Sequence, residues 1–201
     1  MVIWARDVLQ RHPGSTIIAD VKTSRVFYEE VKKAGGDPLI WKTGHSLIKS
    51  KMLEMKAPLA GEMSGHIFFA DEYYGFDDAV YAALRLLRVL AVNGESLDSI
   101  RDQLPVMFNT PELRFECEED KKFQIAEDVR KRLSKEKDVT VHTIDGVRVE
   151  TEDGWWLLRA SNTQPVLVAR CESDTEIGLQ KLKEDLAGQL RASGVAPPEF
   201  G

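Results

Sequence analysis

Two patterns of apolar residues divide the chain. In the first half, residues 17–21, which are apolar except for Asp20, and the apolar run 38–41 predict strands. Stretches with helical periodicity at 25–33 and 46–55 predict helices. Such alternation is typical of βαβ units with a mostly parallel sheet. The half is completed by a strand at 59–69, which polar residues interrupt, and a long helix at 77–92 that ends at Asn93 and Gly94.

The second half has a different order of elements. A strand at residues 112–118 and a helix at 121–134 are followed by a hairpin that turns at Asp145 and Gly146, then by two more strands and a helix at 175–191. We therefore predict an α/β fold, with a mixed βαβ-type domain followed by an α+β domain whose antiparallel sheet is packed by helices. The domain boundary is expected in the segment from Pro105 to Pro111. It gives domains of residues 1–105 and 106–201.

A polar loop interrupts the apolar runs 155–158 and 166–169. Arg159 carries a planar, permanently charged fork that fits a phosphate bidentately. Ser161, Asn162 and Thr163 add hydroxyl and amide groups suited to the remaining phosphate oxygens. The loop therefore predicts a phosphate site, and the alternative is a tight turn held by its Asn and Ser side chains.

A second polar loop occupies residues 61–66, between the apolar positions 58–60 and 67–69. Gly61 and Gly65 permit backbone dihedrals that other residues resist. Glu62 can accept hydrogen bonds from neighbouring sugar hydroxyls, and Ser64 can donate or accept them. We interpret this loop as a sugar site. The alternatives are that Glu62 caps a helix or pairs with a lysine, and that His66 is a core histidine.

Three motifs together resemble those of one known family. They are Trp-Lys-Thr-Gly-His-Ser at residues 41–46, Gly-Glu-Met-Ser-Gly-His at 61–66 and Arg-Ala-Ser-Asn-Thr at 159–163. In this order they resemble the α-D-phosphohexomutase superfamily, specifically its bacterial phosphomannomutase/phosphoglucomutase branch. The resemblance covers the third and fourth of that family's four domains and implies a ligand cleft between them.

The resemblance implies roles for particular residues. Glu62 and Ser64 would bind sugar hydroxyls, with Lys22, His45 and His66 also close to the substrate. The substrate's non-transferred phosphate would be bound by Arg159, Ser161, Asn162 and Thr163. Gln164 departs from the threonine that is common at its position, while its neighbours keep their types.

The family's phosphoserine loop and its Asp-Gly-Asp metal loop do not occur in this sequence. The resemblance therefore implies the substrate-binding half of a mutase that interconverts hexose 1-phosphate and 6-phosphate, inactive alone, with no metal or cofactor in this chain. Mg²⁺ and hexose 1,6-bisphosphate would belong to the full enzyme, and the partners would be glucose or mannose phosphates and the upstream catalytic domains.

Two alternatives to this function remain. The chain could be a stand-alone phosphosugar-binding module without turnover. It could also be part of a phosphoglucosamine mutase, against which Met63 argues because that branch usually carries glutamine in the loop.

Composition narrows the class of protein further. The chain has 201 residues, 43% of them hydrophobic, which suffices for packed cores and excludes a disordered chain. Its formal charge of −6, without a basic face, argues against nucleic acid as a partner. Apolar stretches fall short of the roughly 20 residues that span a membrane, and the first residues have no signal-peptide pattern. We expect a cytoplasmic protein without membrane contact.

Three local features add detail. Cys117 and Cys171 lack metal or redox spacing and predict reduced, structural thiols. Residues 121–137 alternate in charge around apolar positions at helical spacing, which predicts a solvated helix face. Residues 2–10 have helical periodicity but no capping residue precedes them, which indicates a chain that enters in mid-element, as an expressed fragment, a dissected segment or the product of a truncated gene.

Overall fold

The computed structural model describes residues 1–134, 136 and 138–200. The chain divides into two compact units, Met1–Pro105 and Val106–Gly201, called unit 1 and unit 2 below. Positions 135 and 137 of the stretch predicted as a solvated face, and the final position 201, lie outside the described residues.

Unit 1 is a four-stranded mixed sheet covered by helices on both faces. Its strands lie in the order β2-β1-β3-β4, and β1 runs parallel to both β2 and β3 whereas β4 is antiparallel to β3. The elements are α1 (Val2–Arg11), β1 (Thr16–Asp20), α2 (Arg25–Lys33), β2 (Asp37–Trp41), α3 (His45–Met55), β3 (Leu59–Gly61), β4 (Ile67–Phe69), α4 (Ala79–Asn93) and α5 (Leu97–Asp102).

Strand β1 lies at the centre of this sheet, and its alternating side chains enter two different cores. Ile17 and Ala19 pack with residues of α1, α2 and α4, while Ile18 packs on the opposite face with Ile48 and Met52 of α3. A strand buried on both faces has no polar side, which explains its continuous apolar run. Because β1 runs parallel to both β2 and β3, the carboxyl ends of these three strands share one edge of the sheet.

The structure corrects two expectations for unit 1. The interrupted strand predicted at 59–69 is a hairpin of two antiparallel strands, because Gly65 adopts a φ of +95° and its N–H donates to the carbonyl oxygen of Glu62, which reverses the chain. Gly61 itself has no positive φ; a side chain there would meet the Sδ of Met1 at 2.5 Å. Helix α5 was not predicted.

Unit 2 is an antiparallel sheet packed by two helices among its described residues. The strands lie in the order β5-β10-β9-β8-β7, with β6 also pairing with β10. The elements are β5 (Phe108–Asn109), β6 (Leu113–Glu116), α6 (Lys122–Leu133), β7 (Thr140–His142), β8 (Val147–Thr151), β9 (Gly154–Ala160), β10 (Val166–Ser173) and α7 (Glu176–Ala192). The predicted fold class is confirmed.

Helix α6 departs at two positions from the solvated face that its charges predicted. Ile125 and Val129 enter the core, but Phe123 is 54% exposed and Lys122 is only 1% exposed. The Nζ of Lys122 lies 2.9 Å from the carbonyl oxygen of Gln164, so a lysine at the start of the helix turns inward to bind a neighbouring loop.

The two cysteines are free. Cys171 is buried in β10, and burial raises the pKa of its thiol to about 12, so the thiol stays protonated at neutral pH. Cys117 is half-buried, and burial raises the pKa of this thiol as well.

Candidate functional site

Five of the candidate residues lie together at the carboxyl edge of the unit 1 sheet. Lys22 follows β1, His45 begins the helix after β2, and Glu62, Ser64 and His66 lie on the turn between β3 and β4. Ligands of open α/β sheets bind at this edge, because loops from neighbouring parallel strands converge there. We call this group of residues, together with Asp20 and Asp77, the sheet-edge site.

Asp20 connects the parts of the sheet-edge site. Its Oδ1 accepts hydrogen bonds from the hydroxyl of Thr23 at 2.8 Å and the backbone N–H of Met63 at 3.0 Å. Its Oδ2 accepts from the hydroxyl of Thr43 at 3.0 Å and lies 3.8 Å from the Nζ of Lys22. One buried carboxylate thus holds the loops that follow all three parallel strands.

Burial is the main influence on the ionisation of Asp20. Removal from water raises the pKa of its carboxyl group, while the hydrogen bonds from Met63 and Thr23 and the charge of Lys22 act in the opposite direction. The net effect is that the pKa of Asp20 is raised.

Glu62 and Ser64 are in direct contact. The Oγ of Ser64 donates to Oε2 of Glu62 at 3.1 Å, and Oε1 accepts the backbone N–H of Gly44 at 2.6 Å. Gly44 is the N-cap residue of α3, so Glu62 occupies the N-terminus of a helix, as one alternative expected. Ser64 is exposed whereas Glu62 is buried. A ligand can therefore contact the pair through the Ser64 hydroxyl and the small accessible part of the Glu62 side chain.

The two histidines of the sheet-edge site meet edge to face beside one carboxylate. The ring centroids of His45 and His66 are 4.0 Å apart, and the His66 side chain is 40% exposed, so it is not the core histidine that the alternative expected. The Nδ1 of His66 lies 2.7 Å from Oδ2 of Asp77, and the Nδ1 of His45 lies 3.5 Å from the same oxygen. The His66 tautomer that carries its proton on Nδ1 would donate to Asp77 in this contact.

In unit 2, Arg159 belongs to strand β9 rather than to the loop in which the sequence analysis placed it. Its side chain is buried and paired with Asp145, with Nε 3.1 Å from Oδ2 and Nη2 3.4 Å from Oδ1. Gly146, at a φ of +76°, makes this approach possible, because a side chain there would come within 2.6 Å of the Arg159 Cβ. Asp145 thereby fixes the plane of the guanidinium.

The residues after Arg159 form a compact turn between β9 and β10. Ser161 is buried and its N–H donates to the carbonyl oxygen of Val166 at 3.0 Å, while Asn162 and Thr163 are exposed. The Oγ of Ser161 lies 3.4 Å from the backbone nitrogen of Thr163. In unit 2 the structure therefore brings all four candidate phosphate ligands to one end of the β9–β10 hairpin, which we call the hairpin site.

Lys122 stabilises the turn of the hairpin site by hydrogen bonding. Its ammonium group donates to the carbonyl oxygen of Gln164 and to Oε2 of Glu119 at 2.8 Å. The side-chain Oε1 of Gln164 accepts from Arg114 at 2.8 Å, which gives this residue a structural use of its own. Position 164 thus anchors the turn to β6 and α6.

Sequence reasoning missed four residues that build these sites. Asp20 and Asp77 organise the sheet-edge site, and Asp145 and Lys122 organise the hairpin site. Asp20 had a signal, because it is a charged residue at the end of a fully apolar strand. The other three become partners only through tertiary contacts.

Both units match the domains of one family. Residues 1–108 match the model of the phosphoglucomutase/phosphomannomutase alpha/beta/alpha domain III, and residues 112–189 match the model of the C-terminal domain of the same family. The chain therefore belongs to the phosphoglucomutase/phosphomannomutase family, and the predicted resemblance is confirmed.

Individual relatives agree with this assignment. The phosphomannomutase/phosphoglucomutase of Pseudomonas aeruginosa is 45% identical over 96% of this chain and 41% of its own length. A phosphoglucomutase of Neisseria gonorrhoeae is 42% identical over 91% of this chain and 40% of its own length. The crystal structure of a phosphoglucomutase/phosphomannomutase family protein from Burkholderia thailandensis superposes with a TM-score of 0.89 at 41% identity, covering 100% of this chain and 42% of that one.

The chain thus spans about two fifths of the length of the relatives that it matches. Within the described residues, no helix combines the length and apolar character needed to cross a membrane.

Proposed function

We propose that this chain is the substrate-binding half of a phosphomannomutase/phosphoglucomutase, which interconverts hexose 1-phosphate and hexose 6-phosphate through a bisphosphate intermediate. One observation carries the proposal: Glu62 and Ser64 are paired at the carboxyl edge of the sheet, in the domain that matches domain III of the family. A carboxylate and a hydroxyl at this distance can bind two neighbouring hydroxyls of a sugar.

The sheet-edge site would bind and orient the sugar ring. Glu62 and Ser64 hold hydroxyls, and the ammonium group of Lys22 lies on the same edge, where it would stabilise negative charge that develops at the substrate. The contact with Asp77 orients His66, whose Nε2 would exchange a proton with a hydroxyl. His45, whose ring meets that of His66 edge to face, would contact the substrate from the start of α3.

The hairpin site would bind the phosphate that is not being transferred. Asp145 orients the guanidinium of Arg159, and an Arg held in one plane can meet two phosphate oxygens at once. Ser161, Asn162 and Thr163 would supply the remaining hydrogen bonds from hydroxyl, amide and backbone groups. Because the two ends of a hexose bisphosphate both carry phosphate, the same anchor would serve both orientations of the intermediate.

The phosphoryl group would be transferred by a phosphoserine that belongs, with its Mg²⁺, to the upstream domains of the full enzyme. Hexose 1,6-bisphosphate would be the intermediate, glucose or mannose phosphates the substrates, and cytoplasmic carbohydrate metabolism the setting. This chain would bind, orient and protonate. It would not turn over substrate alone.

A complementation assay tests the proposal. The chain is mixed with a separately produced upstream half of a related phosphomannomutase/phosphoglucomutase, and conversion of glucose 1-phosphate is followed with a coupled dehydrogenase. Activity that requires both pieces is the expected result. Activity from this chain alone would contradict the proposal.

Titration of the chain with glucose 1,6-bisphosphate supplies an independent measurement. Binding without activity in any mixture would favour a stand-alone phosphosugar-binding module. A preference for glucosamine phosphates over glucose phosphates in the assay would favour a phosphoglucosamine mutase.

A further inference from the structure

The side chains of His45, His66 and Asp77 form a cluster whose donor atoms suit a metal ion. One ring nitrogen from each histidine and one carboxylate oxygen all lie within 4.8 Å of one another. We propose that these three residues bind a single first-row transition-metal ion, with Zn²⁺ as the typical occupant.

The donor set selects the class of ion. Two imidazoles and one carboxylate are the ligands of many three-residue zinc sites, whereas Mg²⁺ and Ca²⁺ prefer oxygen ligands alone. The expectation that this chain binds no metal rested on the missing Asp-Gly-Asp loop, whereas the three residues of this cluster meet only through the fold. The inferred site is therefore separate in chemistry from a magnesium site.

The two distances from the histidines to Asp77 fit an ion with small adjustments. Two ligands bound tetrahedrally at about 2.0–2.1 Å from zinc are about 3.3 Å apart. The Nδ1 of His45 lies 3.5 Å from Oδ2 of Asp77, close to that separation, and the Nδ1 of His66 lies at 2.7 Å from the same oxygen. A rotation of the partly exposed His66 ring, which moves its nitrogen outward by about half an ångström, would admit the ion.

Structural contacts hold each of the three ligands in place. His45 is the first residue of α3 and packs edge-on against the buried ring of Phe68 at a centroid distance of 5.8 Å. The carbonyl oxygen of His66 accepts the N–H of Glu62, which fixes His66 at the end of the turn before β4. Asp77 forms a β-bridge with Phe68. Ligands held by such contacts need little reordering when an ion binds.

Access and charge also favour an ion. The side chains of His45, His66 and Asp77 are 48%, 40% and 28% exposed, so a hydrated ion can enter and keep a water as its fourth ligand. The carboxylate of Glu62 accepts the N–H of Gly44 at the N-terminus of α3, and its negative charge offsets the positive end of the helix beside His45.

Binding of an ion here would have a consequence for the sugar. His66 follows Glu62 and Ser64 on the same turn, so an ion on its ring would occupy the space of the sugar and compete with it. This consequence rests on the proposed function, whereas the metal site does not.

The test is a calorimetric titration of the 201-residue chain with ZnCl₂ in a chelator-stripped buffer, repeated with CoCl₂ to record the visible absorption of four-coordinate cobalt. We expect saturation at one ion per chain. His66→Gln and Asp77→Asn should each weaken Zn²⁺ binding at least about tenfold, since each removes one of three ligands. Circular dichroism checks that the variants are folded.

The chain contains 4 histidines, which provides matched controls. His12→Gln and His142→Gln remove the two histidines outside the cluster and should leave Zn²⁺ affinity unchanged, as should Cys117→Ser. Histidine side-chain NMR resonances of the unmodified chain should shift only for His45 and His66 on addition of Zn²⁺. Absent binding, or affinity that is lost in the control variants rather than in the cluster variants, would overturn the proposal.

Failure of the proposed function would appear in a different measurement. A chain that binds Zn²⁺ through these three residues but binds no glucose 1,6-bisphosphate contradicts only the phosphosugar assignment. A chain that binds the bisphosphate but not Zn²⁺ contradicts only the metal site.

Discussion

The carboxylate of Asp20 accepts a hydrogen bond from the backbone N–H of Met63 at 3.0 Å. Met63 lies between Glu62 and Ser64, so this contact sets the position of both residues relative to the end of β1. The same carboxylate accepts from Thr43, which precedes Gly44 and His45. A residue that would not itself touch the sugar in our proposal thus arranges the residues that would.

Replacement of Asp20 by alanine should destabilise unit 1 and disorder the sheet-edge site. Met63, Thr23 and Thr43 would lose a buried acceptor, and hydrogen bonds to a charged group contribute about 1.5–3 kcal/mol each. We expect the free energy of unfolding in urea to fall by at least about 2 kcal/mol. Asp37→Ala is the control, because Asp37 is exposed and the contact that it accepts from Thr16 is long, at 3.4 Å. Its effect should stay within about 0.5 kcal/mol. Equal effects in both variants would argue against the role of Asp20.

Arg159→Ala should weaken binding of glucose 1,6-bisphosphate to the chain by about 1.5–3 kcal/mol, because a charge-assisted contact is lost. Arg159→Lys keeps the charge but not the planar fork, so its affinity should lie between those of the alanine variant and the unchanged chain. Calorimetry measures both. Arg101→Ala removes an exposed arginine of α5 and should have no effect on affinity. An Arg159→Ala chain that binds as tightly as the original would refute the phosphate assignment.

Asp71 should make unit 1 sensitive to acid. Burial alone would raise the pKa of this carboxyl, but hydrogen bonds from Arg85 and Arg11 outweigh it and lower the pKa to about 2. Because the folded-state pKa lies below the unfolded value, the ionised form stabilises the fold. Its contribution, about 2 kcal/mol, is complete above about pH 5 and is lost as the pH falls toward about 2.

Urea unfolding at a series of pH values between 6 and 2 tests this prediction. Asp71→Asn should lower stability at neutral pH and flatten the acid dependence, since removal of one partner leaves Arg85 in a buried position without that carboxylate. Asp98→Asn, which alters an exposed pair on α5, should retain the slope of the original chain. An unchanged slope in Asp71→Asn would contradict the assignment.

Lys122→Met should loosen the turn of the hairpin site. The buried ammonium group donates to the carbonyl oxygen of Gln164, and methionine has no donor to replace it. We expect a loss of stability of about 1–3 kcal/mol and weaker phosphate binding. Lys121→Met is the matched control, because Lys121 is the neighbour of Lys122 in the sequence but is exposed and pairs with Glu118 on the surface. Thermal unfolding and calorimetry should separate the two variants; indistinguishable behaviour would mean that the contact is unimportant.

Gly146→Ala tests the packing that brings Asp145 to Arg159. An added Cβ would lie 2.4 Å from the carbonyl oxygen of Leu158, in addition to the strain of a φ of +76°. Gly14→Ala is matched in conformation, with a φ of +77°, but meets nothing within 4 Å. We expect the control to cost about 1 kcal/mol and Gly146→Ala clearly more, measured by urea unfolding. Equal costs would show that the turn has room to adjust.

Elements with strong local signals could be predicted from the sequence. Helix α2 has the predicted bounds, because Ser24 caps it by accepting the N–H of Val26 and the glycines at 35 and 36 follow its end. Helix α7 likewise begins after the capping Thr175. Such signals act within a few residues, so they can be identified in the sequence without knowledge of the rest of the fold.

Other elements depend on contacts that the sequence pattern does not reveal. Helix α5 has only six residues, of which several are charged, and no apolar periodicity can accumulate over that length. The reversal between β3 and β4 needs the φ of Gly65, whereas two three-residue strands of apolar residues read equally well as one interrupted strand.

The same distinction between local signals and tertiary contacts applies to the candidate sites. Residues on the polar loops could be proposed from their chemistry and from the motifs, and the structure brings them together within each unit. Their supporting partners could not, because Lys122 lies in a stretch of alternating charge that favours a solvated face, and Asp77 is eleven residues from His66. Whether a charged side chain is buried depends on the residues that surround it in the folded protein, and the sequence pattern does not identify them.

The contacts of Glu62 imply how this subsite would recognise a sugar. Both carboxylate oxygens already accept hydrogen bonds from Gly44 and Ser64. Each of these oxygens still has a second lone pair, so an arriving hydroxyl could donate to the carboxylate while Gly44 and Ser64 stay in contact with it. If a hexose lacks that hydroxyl or presents it at another angle, Glu62 keeps its two internal donors and is not left without a partner. We expect the subsite to tolerate epimers, with tight discrimination left to groups that have no internal partner.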